Sequence, residues 1–108
     1  MSIIVSSEFD KYRIKYFTGF TANKMAAIIF CDLNKNSVGI LQFIQDGHPL
    51  PVNEVTSNGS ILLNFNQRSI PEVINILQNE KPLYIHLNTH TRSGWIQTLD
   101  EEAGEEES

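Results

Sequence analysis

Disulfides, zinc clusters and membrane spans are structures for which this chain has no material. It holds one cysteine, Cys31, in 108 residues, and a single thiol can close neither an internal disulfide nor a cysteine-rich zinc site. The longest uninterrupted apolar run, Met25 to Cys31, is seven residues, against the roughly 20 that a membrane-spanning helix needs. Met1 to Ser7 has neither the basic start nor the apolar stretch of a secretory leader, so the chain is expected to be made and kept in the cytoplasm, with no membrane contact. The six glycines are too scattered for either phosphate-cradling motif, G-x-G-x-x-G or G-x-x-x-x-G-K-[ST], and no cofactor is expected. Nothing repeats at a fixed period, which excludes a solenoid.

Acidic residues are scarce outside the last few positions. The formal charge is −5, but six of the 13 acids (Asp100, Glu101, Glu102, Glu105, Glu106 and Glu107) lie after Leu99. Seven acids then face eight bases in residues 1–99, a nearly neutral body. The reading is a single domain over residues 1–99, with 100–108 a disordered, solubilising acidic tail. With 41% hydrophobic residues the body has enough apolar material to offset the entropy of ordering it.

What is present reads mostly as strand. Residues 1–10 alternate only weakly, as a frayed terminus or a short edge strand would. From Lys11 the period is two: Lys11, Arg13 and Lys15 point one way, Tyr12, Ile14 and Tyr16 the other. Lys24 to Leu33 and Val38 to Gln45 are apolar on both faces and read as central strands, joined by a turn at Asn34 to Ser37 in which Asp32 takes a hydrogen bond. Pro49 and Pro51 break the ladder, because proline has no N–H to donate. Asn58-Gly59 marks a hairpin between Val52–Thr56 and Ser60–Phe65.

One helix is predicted, over residues 70–79. Ser69 and Glu72 have capping-box spacing, Pro71 falls in the first turn, and Ile70, Val73, Ile74 and Leu77 form one apolar stripe. Leu83 to Asn88 alternates again, Thr89 to Gly94 is a polar loop, and Trp95 to Leu99 is the last strand. The fold class is therefore α+β, a mostly antiparallel sheet of about six strands, open or strongly curved, with the helix packed on one face. A helix this short cannot cover both faces of the central strands. The remaining cover is the N-terminal segment, a curled sheet or, in the favoured reading, a second copy in a homodimer.

Few side chains offer chemistry. His86 and His90 are four apart, but a strand of that length separates them by about 13 Å, too far for one metal, and no metal site is assigned. Cys31 is read as a small hydrophobe within a strand rather than a nucleophile. Thr89 to Gly94 gathers His90, Arg92, hydroxyls and the neighbouring Trp95, a candidate small-anion site. Lys11, Arg13 and Lys15, interleaved with tyrosines, are the candidate contacts for single-stranded nucleic acid, although three cations give little salt-dependent affinity and the acidic tail would compete for them. No acid, base and nucleophile set assembles, so the chain is not expected to be an enzyme. The leading expectation is a non-catalytic binding or assembly module that self-associates through a sheet face or meets a protein partner. The alternatives are a nucleic-acid-binding sheet modulated by its own tail, which is possible but not favoured, and a small-anion-binding protein using the 89–94 loop.

Overall fold

The computed structural model describes residues 4–9, 11–18, 23–32, 34, 36–79 and 83–98. The 100–108 tail lies outside these. Eight strands and one helix follow in the order β1 (Ile4–Phe9), β2 (Lys11–Tyr16), β3 (Lys24–Cys31), β4 (Ser37–Ile44), β5 (Glu54–Val55), β6 (Ile61–Asn66), α1 (Ile70–Asn79), β7 (Leu83–Asn88) and β8 (Gly94–Thr98). The class is α+β, but the strands form two sheets rather than one of six: β2-β3-β4-β6-β5 and β1-β7-β8. The weakly alternating N-terminal residues are a true strand, which pairs antiparallel with β7 near the other end of the chain.

Among the described residues all strand pairings are antiparallel except one. The two prolines and the irregular chain around them carry the backbone across to β5, so β6 returns parallel to β4, Gly39 opposite Ile61 and Phe43 opposite Phe65. The β5–β6 hairpin closes through Thr56 N–H to Ser60 O at 2.8 Å, with Gly59 at φ 90°. Of Asn58 and Gly59 only the glycine uses positive φ, so the loop is the three-residue kind that ends in a left-handed position, not a two-residue turn needing both.

Period-two alternation sorts the five-stranded sheet into two faces. Ala26, Ile28 and Phe30 on β3, Leu41 and Phe43 on β4, and Ile61 and Leu63 on β6 point inward and are buried with Leu83, Ile85 and Leu87 of β7 and Val73 and Leu77 of α1 in one core. The second sheet and the helix thus cover the same face. The sheets meet closely where glycine allows it: a Cβ on Gly39 would stand 2.8 Å from Ile85 Cδ1, and one on Gly94 2.1 Å from Leu63 Cδ2. Phe9 stacks on Phe30 across the gap, centroids 3.7 Å apart and planes 3° from parallel.

Two local expectations change. The capping box does not form, because a 3₁₀ turn over Gln67–Ser69 precedes the helix. Ser69 is therefore already within a helical turn rather than at the extended position from which a serine caps, and no hydrogen bond joins it to Glu72 among the described residues. Cys31 is half-exposed: it follows Ile29 on the outward face of the larger sheet, opposite Lys11. Asp32 does accept the turn's amides, Asn34 N–H at 2.9 Å and Asn36 N–H at 3.0 Å. No described helix is long and apolar enough to cross a membrane.

Candidate functional site

Three surfaces carry the residues that sequence reasoning singled out, and they do not converge. Lys11, Arg13 and Lys15 lie on β2, the terminal strand of the larger sheet, and all three are exposed. None of the three side chains is ion-paired or hydrogen-bonded to another described residue; the ion pair seen among those residues, Arg68 to Asp46 at 3.6 Å, is elsewhere. Tyr12, Ile14 and Tyr16 face the other way, toward the core side, yet Ile14 is 36% and Tyr16 64% exposed. The smaller sheet therefore does not reach over the second half of β2. Cations and rings sit on opposite faces, so a nucleic-acid strand would have to wrap round the sheet edge to use both.

The 89–94 loop spends its backbone donors on itself. Asn88 Oδ1 accepts the amides of His90 and Thr91 at 2.9 and 3.0 Å, Arg92 N–H goes to Asn88 O at 2.8 Å, and Ser93 N–H goes to Thr91 Oγ1 at 3.3 Å. An anion there would be held by exposed side chains, those of His90 and Arg92 with the neighbouring hydroxyls, rather than by the backbone. Arg92 sits at φ 65°, a left-handed conformation uncommon for a residue with a Cβ, and its carbonyl accepts Asn53 Nδ2–H at 2.9 Å.

Trp95 belongs to a different constellation. On the outward face of the small sheet the register places Ser6, His86 and Trp95 in one row. Ser6 Oγ lies 2.6 Å from His86 Nδ1, the imidazole stacks on the indole with centroids 5.1 Å apart, and Trp95 Nε1–H donates to Gln97 Oε1 at 2.8 Å. Burial lowers the His86 pKa from its ordinary 6.5, and Nε2 is buried with no partner. A serine activated by histidine needs a third group to orient the base through its other nitrogen, and no described residue fills that place. Sequence reasoning missed the Ser6–His86 pair; the alternation of Tyr84, His86 and Asn88 was the one signal for an exposed row, and nothing local pointed to Ser6. Among the described residues no three of His, Cys, Asp and Glu gather as metal ligands would.

The outward face of the larger sheet holds the third surface. At one register level its five strands present Arg13, Ile29, Ile40, Leu62 and Glu54 in that order. The three aliphatic residues are half-buried and the two charged ones exposed. Two residues further along the strands the same face is roofed: Asn64, 7% exposed, donates Nδ2–H to Val52 O at 3.3 Å, so the connection into β5 crosses there. Ala27 and Ile44 are buried on this side, apart from the main core. The Arg13-to-Glu54 row is left outside that roof.

Comparison with known proteins adds no identity to this geometry: no family model, curated protein or solved structure matches the chain.

Proposed function

We propose that the chain is a small non-catalytic binding and assembly module that self-associates through the outward face of its five-stranded sheet. The observation that carries this reading is the row Arg13, Ile29, Ile40, Leu62, Glu54: apolar in the middle, positive at one end, negative at the other. Two copies stacked face to face about a two-fold axis along the strands place β2 of each over β5 of the other. Arg13 of each copy then meets Glu54 of the second while Ile29, Ile40 and Leu62 close against their counterparts. Such an interface is self-complementary, as an isologous contact requires, and aligned sheets pack within about 30° of one another.

Sedimentation equilibrium on the full chain tests it. The wild type is expected to dimerise in the micromolar range and Ile40→Glu to be monomeric. Arg13→Glu and Glu54→Arg should each weaken the dimer, and the double exchange should restore it. A wild-type monomer at every concentration, or a double exchange no better than the single ones, overturns the proposal.

A further inference from the structure

We propose that β2 is a strand-addition site for an extended segment of another protein in which acidic and apolar residues alternate. β2 pairs with β3 on one side and with no described strand on the other. Arg13, Ile14, Lys15 and Tyr16 are all exposed although they point alternately to the two faces, so neither face of this half of the strand is covered. An edge of this kind offers a row of backbone donors and acceptors to an incoming strand.

The charges decide which strand is accepted. Residues opposite one another in a ladder share a face, so a second copy adding its own β2 antiparallel, free edge to free edge, sets Lys11, Arg13 and Lys15 against the same three cations. Like charges directly opposite destabilise a pair and unlike charges favour it. Antiparallel self-pairing at this edge is thereby disfavoured, while an acidic residue at every second position of an incoming strand faces a cation each time. The intervening positions fall beside Tyr12, Ile14 and Tyr16, the last two of which offer exposed apolar surface. This chain's own acids suit the edge poorly: Asp100, Glu101 and Glu102, like Glu105, Glu106 and Glu107, are consecutive, so a strand formed from them would put charge on both faces. The edge shares Arg13 with the assembly face, whereas Lys11 and Lys15 lie outside the Arg13-to-Glu54 row.

The probe is a short capped peptide of alternating Glu and Val, titrated into the isotope-labelled full chain at low salt and followed by amide NMR. Shifts and slowed hydrogen exchange are expected at the β2 amides not bonded to β3. A peptide of the same composition with its glutamates in one block should bind roughly tenfold more weakly, as should the alternating peptide to Lys11→Glu/Arg13→Glu/Lys15→Glu, since each exposed pair contributes only modestly. Equal binding of the two peptides, or binding that leaves β2 amides unmoved, overturns the proposal. So does oligothymidine that displaces the peptide at equal concentration, which would make nucleic acid the ligand. β2 amides already protected in the free chain, and released when the six tail acids are changed to their amides, would make the tail the occupant instead.

Discussion

Asn53 completes the ladder that β5 leaves unfinished. Its Oδ1 accepts the backbone N–H of Asn64 at 2.7 Å, the donor that Val52 would face if β5 ran two residues further, and its Nδ2–H reaches the carbonyl of Arg92 in the β7–β8 loop at 2.9 Å. One side-chain amide thus ties the edge of the larger sheet to the smaller one. Removing it leaves the part-buried Asn64 amide unpaired, so Asn53→Ala should cost about 1–3 kcal/mol in urea unfolding. Hydrogen exchange at the Asn64 amide should accelerate by more than the global loss of stability explains.

Gly94 sets how closely the sheets approach. A methyl group there would overlap Leu63 Cδ2 and press on the carbonyl of His86, 3.2 Å away, and Leu63 is only 1% exposed. Gly94→Ala is expected to destabilise by about 1–3 kcal/mol, the usual cost of overpacking. Leu63→Ala should cost less in the Gly94→Ala background than in the wild type, because the added methyl fills part of the space. Purely additive losses in a thermal-melt double-mutant cycle would show that the two sites do not share a contact.

His86 makes stability depend on pH in a fixed direction. Its folded pKa is lowered by burial, so just below the ordinary 6.5 the unfolded chain takes up a proton that the folded chain refuses. Stability conferred above that value is lost as pH falls from 6.5 to the folded pKa, and changes no further below it. The difference between wild type and His86→Gln in urea midpoints across this window isolates the effect. Trp95, the single tryptophan, stacks on the ring, so its fluorescence should change with a midpoint below 6.5 in the wild type and lose that transition in the variant.

Which features were readable in advance follows from how local their causes are. The alternation of Lys11 to Tyr16, the breaks at Pro49 and Pro51, the glycine of the Asn58-Gly59 loop and the stripe Ile70, Val73, Ile74, Leu77 each act within a few residues of themselves, and all four are where the pattern put them. The second sheet has no such local cause. Its first strand, Ile4–Phe9, holds Ser6, Ser7 and Glu8 and alternates feebly; what makes it a strand is β7, almost 80 residues on. The Ser6–His86 contact was hidden for the same reason. The parallel return of β6 depends on an irregular crossing that periodicity does not describe. The residues singled out for binding were placed on the right elements, but Trp95 was grouped with Arg92 because they are neighbours in sequence, whereas its indole works across the strands with His86.

The pairing of β1 with β7 also sets an order of events at the ribosome. At roughly 5–20 residues per second, β1 is synthesised several seconds before the strand that must receive it, and closing so long a loop is slow even when both ends exist. The larger sheet can assemble in that interval; its roof cannot. Translation that stalls short of Leu83 therefore yields not a protein lacking its last strands but a sheet covered by its helix alone, whose opening segment has nowhere to go.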